Sequence, residues 1–239
     1  MQREDFPILN QLVHGHPLVY LDNAATTQKP QVVLNSISEA YSTWNANIHR
    51  GVHRLSQEAT RHHESSRQRV AAFLGARSTN EIIFTRGTTD SINLLAFSFG
   101  EYAIEEGDEI LIGYAEHHSN IVPWQMLCER KKAVLRIIPL SDDGQLDMKA
   151  FERLLTRRTK LLSIAHVGNV LGLIQPVEEM IRLAHANGIA DCVDGAQSAA
   201  HLPINVQDLD CDFFVCSAHK MYGPTGIGVL YGKEEWLDK

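Results

Sequence analysis

The chain has 239 residues, 44% of them hydrophobic and 21% charged, with a formal net charge of −7. That composition suits an ordinary globular protein with a sizeable core in one large domain or two, and a negative chain without a basic cluster excludes nucleic acid as the expected partner. Apolar runs no longer than a strand exclude a membrane-spanning helix, and the charged start Met1-Gln2-Arg3-Glu4-Asp5 has no apolar signal core, so a cytoplasmic location is expected.

Residues 1–28 predict a short helical start, then a brief strand at Leu18-Val19-Tyr20-Leu21 that runs into the small, polar turn Asp22-Asn23-Ala24-Ala25-Thr26-Thr27. A helix over 29–46 follows, with Pro30 near its start. The next segment, Asn47-Ile48-His49-Arg50-Gly51-Val52-His53-Arg54, places two histidines four apart. That spacing suits two metal ligands on a helix face, but Gly51 lies between them and no third ligand completes a zinc pattern, so no metal is expected. An amphipathic helix over Ser56–Leu74 is capped by Gly75.

From there strands alternate with helices. Strands are predicted at Glu81–Thr85, Glu109–Tyr114, Val134–Pro139, Lys160–Val167, Ile189–Val193, Phe213–Cys216 and Gly226–Tyr231. Helices are predicted for about four turns after Arg86-Gly87-Thr88-Thr89-Asp90, from Glu116-His117-His118-Ser119-Asn120 onward, and over Asp147–Leu155 and Val177–Asn187. Seven strands with helical crossovers predict a three-layer α/β/α sandwich around a mainly parallel sheet. Of the four cysteines, Cys192, Cys211 and Cys216 sit in apolar strand-like runs and read as buried thiols, while Cys128 lies in a helical stretch; none forms a Cys-x-x-Cys pair.

Polar and special residues recur just after strands, which is where an open parallel sheet binds its ligands. Together they meet the needs of one cofactor, pyridoxal phosphate (PLP). Lys220, just past the strand Phe213–Cys216 and before the glycine-rich Gly223-Pro224-Thr225-Gly226, can supply an amine that forms a Schiff base with an aldehyde. Gly87-Thr88-Thr89 stands where a strand becomes a helix, an anion site, to which Ser217 and His219 add donors. Asp194 suits a protonated pyridine nitrogen; Asp191 is the rival carboxylate, but lies within the strand and is expected to face outward. His117, or its neighbour His118, suits stacking on the ring, and Gln197 or Asn169 suits the ring hydroxyl. A P-loop is excluded, since Gly87-Thr88-Thr89 has no Gly-x4-Gly-Lys-Ser/Thr pattern.

Five motifs carry a resemblance: Tyr20-Leu21-Asp22-Asn23-Ala24-Ala25, Arg86-Gly87-Thr88-Thr89, Glu116-His117-His118-Ser119-Asn120-Ile121-Val122-Pro123-Trp124, Val193-Asp194-Gly195-Ala196-Gln197, and the run from His219 to Gly228. In this order the chain resembles the class V, fold-type I PLP enzymes, most closely the cysteine desulfurases that include SufS-type proteins and selenocysteine lyases. The resemblance implies that Lys220 holds PLP and later acts as a base. It also implies that Asp194 pairs with the pyridine nitrogen, that His117 stacks on the ring, and that Gln197, with Asn169 nearby, binds the ring hydroxyl. Thr88, Thr89, Ser217 and His219 would bind phosphate, and His49 and Arg50 match a segment at the substrate entry. Ala218 and Gly168 each replace a different small residue.

The implied reaction converts L-cysteine to L-alanine and passes sulfur to a protein persulfide for iron–sulfur cluster assembly, with a homodimeric enzyme and a sulfur-acceptor protein as partner. In the family a smaller C-terminal domain carries the persulfide cysteine. None of the four cysteines here matches it, so residues 1–239 are expected to be the PLP-binding large domain with its N-terminal segment, part of a longer protein lacking the small domain. Another class V enzyme (a selenocysteine lyase, an aminotransferase or a kynureninase-like protein) and a non-catalytic PLP-binding module are the alternatives.

Overall fold

The computed structural model describes residues 2–239. Two short 3-10 turns lead into a hairpin of β1 (Leu12–Val13) and β2 (His16–Pro17), closed by His14 and Gly15, both with positive φ. The hairpin replaces the expected strand at 18–21, which is not extended into any sheet. The expected helix over 29–46 is α1 (Gln31–Glu39), which widens into a π turn over Ala40–Trp44. Then come α2 (Arg54–Leu74), β3 (Ile82–Thr85), α3 (Thr88–Phe97), α4 (Phe99–Ala103), β4 (Glu109–Gly113), α5 (Val122–Lys131), β5 (Val134–Ile138), α6 (Met148–Leu154), β6 (Thr159–Ala165), α7 (Val177–Ala186), β7 (Ala190–Asp194), α8 (Val206–Leu209), β8 (Phe213–Ser217), β9 (Gly228–Gly232) and α9 (Glu234–Leu237). The helix expected to run four turns from Thr88 is broken at Ser98, whose hydroxyl donates to the Leu94 carbonyl.

The seven sheet strands lie in the order β3-β9-β8-β7-β6-β4-β5. Strands β5, β4, β6, β7 and β8 pair in parallel, and β9 runs antiparallel to both β8 and β3. Successive residues point to opposite faces. Leu111, Phe214 and Cys216 therefore enter the core under α2, α6, α7 and α8, while Ile110, Ile112, Phe213 and Val215 enter the core under α3, α4 and α5. The result is the expected α/β sandwich. All four cysteines are buried, Cys128 included; burial pushes the Cys128 thiol up to about 11 and that of Cys216 up to about 12.

Asp191 does not face outward. β7 lies inside the sheet with helices over both faces, so it has no solvent side, and Asp191 is wholly buried. It is accommodated by a pair of reciprocal bonds at 3.1 Å, in which the Asp191 N–H donates to Asp212 Oδ2 and the Asp212 N–H donates to Asp191 Oδ2. His185 Nε2 stands 2.8 Å from Asp191 and 3.2 Å from Asp212, and Lys233 Nζ stands 3.1 Å from Asp212. Asp191 lies near the start of β7 and Asp194 at its end.

Candidate active site

β6, β7 and β8 are parallel neighbours, so their carboxyl ends open on one edge. A cavity of about 160 Å³ lies there, lined among others by Thr88, Thr89, His117, Asn169, Asp194, Gln197, Ser217, His219 and Lys220. All nine residues expected to meet the cofactor thus line one cavity, although they lie up to 132 residues apart in the chain. Thr88, Thr89, Ser217 and His219 also line a wider depression of about 850 Å³, with Arg86, Asn93, Phe97 and Gly226 on its far side. His49 and Arg50 line neither. His49 has φ 62° and stands 3.2 Å from Glu64 on α2.

The histidines of that segment do not form the i, i+4 pair considered as metal ligands. His53 caps α2 by accepting from the Ser56 N–H. His49 instead approaches His63 and Glu64, where Arg67 Nη2 stands 3.2 Å from His63 Nε2 and occupies the lone pair a metal would need.

Asp194 is 4% exposed and accepts one bond, from the Ala196 N–H at 2.9 Å. Burial raises its pKa, opposed by that bond and by Lys220 and His117. A carboxylate so enclosed, with one donor and an open cavity before it, is suited to a cationic N–H partner such as a protonated pyridine. The turn after it packs on Phe214 so closely that a Cβ at Gly195 would run into that ring. Lys220 follows β8, on a single 3-10 turn. Its Nζ has no hydrogen-bond or ion-pair partner among the described residues, and burial lowers its pKa, opposed by Asp194.

The N-terminus of α3 forms the cavity's other end. Its N-cap is Gly87, which has no side chain with which to cap it. Ser217 Oγ accepts from the Thr88 N–H at 2.8 Å and stands 2.8 Å from Thr88 Oγ1, which ties this helix end to β8. The approach depends on Gly228, where a Cβ would collide with the Gly87 backbone. Unpaired helix N–H groups and two hydroxyls make a seat for a phosphate. His117 Nδ1 accepts from the Ser119 N–H at 3.2 Å and stands 2.8 Å from Ser119 Oγ, which leaves the proton of the neutral ring on Nε2. Its pKa is lowered by burial and then by Lys220. The donor set, the buried carboxylate and the unpartnered amine all fit PLP.

One part of the site was not anticipated. The segment from Ala24 to Lys29 straps across the Lys220 turn. The His219 carbonyl accepts from the Thr27 N–H at 2.9 Å, from Thr27 Oγ1 at 3.0 Å and from Lys29 Nζ at 3.2 Å. Thr27 Oγ1 accepts in turn from the N–H of Tyr222, a residue with φ 64°. The Ala24 carbonyl accepts from Gln197 Nε2 at 2.8 Å. The small residues at 24–27 were the only hint of such a close approach in the sequence.

Residues 19–239 match the family described as aminotransferase class-V. A cysteine desulfurase of Synechococcus elongatus is 53% identical over 99% of this chain and 38% of its own length, and one from Escherichia coli O8 is 52% identical over 99% of this chain and 58% of its own. The chain thus spans well under two thirds of the length of these relatives. Among solved structures, the apo cysteine desulfurase of Thermococcus onnurineus superposes with a TM-score of 0.92 at 43% identity, covering 99% of this chain and 57% of that one. The cysteine desulfurase CsdA of E. coli gives 0.87 at 40% identity, covering 98% and 58%. The protein SspA, solved in complex with cysteine, gives 0.84 at 31% identity, covering 91% and 62%.

Proposed function

Since the chain belongs to the aminotransferase class-V family, whose members are in general PLP-dependent, we propose that residues 1–239 form the cofactor-binding large domain of a cysteine desulfurase. The observation that carries this reading is the meeting of two groups in one cavity: the amine of Lys220, unpartnered among the described residues, and the buried, singly bonded carboxylate of Asp194. The naming of relatives at 52–53% identity as cysteine desulfurases supports the choice of reaction.

When bound, PLP supplies an electrophilic carbon and an electron sink for the substrate's Cα electrons. Lys220 Nζ would hold PLP through its aldehyde carbon and, as a free amine, would accept the proton from Cα of L-cysteine. Its lowered pKa supplies the neutral amine both roles need. Asp194 keeps a proton on the pyridine nitrogen. His117 would stack on the ring, and Gln197, with Asn169 nearby, would bind the ring hydroxyl. Thr88, Thr89, Ser217 and His219 hold the phosphate at the α3 N-terminus, and His49 and Arg50 serve substrate entry outside this cavity. The four cysteines of this chain do not take the sulfur, because burial holds each thiol protonated and away from solvent. The products are L-alanine and a persulfide on a thiol other than these four, from which an acceptor protein takes sulfur for iron–sulfur clusters.

The test is to load the protein with PLP, reduce it with borohydride and map the pyridoxyl adduct by peptide mass. The expected adduct lies on Lys220 and is lost in K220A. A folded protein without an adduct, or with one on another lysine, refutes the site. Release of alanine from L-cysteine by the protein that carries this chain tests the reaction.

A further inference from the structure

We propose that Glu116, which does not line the cavity, is a positioning residue: an acceptor-only carboxylate that fixes the turn bearing His117 against the ends of β4 and β6. The proposal deepens the reading above and rests on it for the role of His117. The argument begins at Asn120, which is wholly buried. Its Oδ1 accepts from Trp124 Nε1 at 2.9 Å and from Ser163 Oγ at 2.5 Å. Indole N–H is a donor only, so chemistry fixes which way this amide points. Asn120 Nδ2 is thereby turned toward Glu116 Oε2, to which it donates at 2.8 Å.

The other oxygen, Glu116 Oε1, accepts from the Ala165 N–H at 3.0 Å, at the end of β6. At the end of β4, a Cβ on Gly113 would stand 2.6 Å from the same oxygen, so the carboxylate fits because residue 113 has no side chain. Both carboxylate oxygens therefore meet fixed donors. Ala165, His117 and Ser119 all line the cavity. Glu116 thus links the cavity wall to the residue beside the His117 ring. Its desolvation raises its pKa to about 7, so the acceptor-only form prevails above that pH, where the test below is made.

An amide at this position must turn its NH2 against either the Ala165 N–H or Asn120 Nδ2. A carboxylate at position 120 removes that conflict. One of its oxygens still accepts from Trp124 and Ser163, and the other accepts from the new amide. The test is a double-mutant cycle of E116Q, N120D and E116Q/N120D. It is read in the cofactor-free protein by the ¹⁵N shifts of the His117 ring, which report the tautomer, and by the midpoint of PLP binding.

The wild-type ring is expected to be mainly the Nε2–H tautomer. E116Q is expected to mix the tautomers and weaken PLP binding about tenfold, and E116Q/N120D is expected to recover both. An E116Q protein with wild-type ring shifts and binding overturns the proposal. So does a double variant in which the losses of the singles add. If E116Q does not fold, recovery of folding and ring shifts in the double variant supports the proposal, and its failure overturns it. A wild-type protein that takes no PLP on Lys220 refutes the functional reading instead, while the His117 shifts still decide the role of Glu116.

Discussion

Asp194 and Lys220 carry opposite signs of the same cost. Each is drawn out of water, and each has its charged form disfavoured by burial. For Asp194 the consequence is a trade between stability and binding. D194N removes a desolvated charge, so the cofactor-free protein is expected to melt no lower than wild type. The same change weakens a charge-assisted bond to the cofactor, on the order of 2 kcal/mol or about thirtyfold in PLP affinity. Thermal melts with and without PLP check both halves, and equal losses in the two conditions would mark Asp194 as merely structural. For Lys220 the sign predicts reactivity. Its lowered pKa leaves more neutral amine near neutral pH than an exposed lysine has. Competitive acylation across pH, read by peptide mass, should give Lys220 a midpoint below 10.5, the ordinary lysine value.

Packing between elements decides the fate of Asp191, and here the sequence misleads for a physical reason. A polar residue within a strand reads as solvent-facing because alternation presumes one wet face. β7 has none, and the pairing of Asp191 with Asp212 and His185 joins residues 6 and 21 positions away through α7 and β8. The strand ends carrying Asp194, Ser217 and Lys220 were legible, because apolar runs stopping at polar residues mark both the strand and its mouth. The strap at Ala24–Lys29 was not, since its bonds go to the Gln197 side chain and to backbone groups more than 170 residues away. His185 is held protonated up to about 10 by the hydrogen bonds it donates to Asp191 and Asp212. H185A should cost about 3 kcal/mol by leaving two buried carboxylates without that cation. D191V should cost less, about 1–2 kcal/mol, because His185 keeps Asp212 and Asp210 and only the buried Asp212 N–H loses its acceptor. The raised folded value sets the pH sign. The stabilisation by His185 is complete below 6.5 and fades as pH rises through about 10, so the gap between wild type and H185A in urea should close over that range. A gap that widens with pH would show that His185 is neutral in this cluster. In the strap, T27V leaves the Tyr222 N–H without its acceptor and should cost about 1–2 kcal/mol, with faster amide exchange at Tyr222.

At the scale of the whole molecule, burial is uneven. The sheet and its two helical layers hold a continuous core on each face, but α1 buries no residue at all. Around it Val32 and Tyr41 are more than 70% exposed, Leu21 is 87% exposed and Val52 93% exposed. Across α1 and the π turn that follows it, Val33 and Ala40 are turned partly inward and Val32 and Tyr41 outward. Apolar surface of this extent in one segment is the mark of a surface that is covered in solution. The resemblance to fold-type I enzymes implies a second copy of the chain as the cover; this segment includes the strap over Lys220, so association and cofactor retention are then expected to be coupled. Light scattering on the purified chain should give twice the 26.8 kDa of one copy. L21D and V52D are informative because these side chains are almost wholly exposed within one chain. An acidic residue there costs a lone chain close to nothing, so any shift toward 26.8 kDa reports the lost contact with a partner. Loss of PLP along with the dimer would place the second copy at the cavity's edge. A wild-type chain that stays at one copy up to about 100 μM, a concentration at which even micromolar association would be complete, would mean that this apolar segment is not a contact between copies.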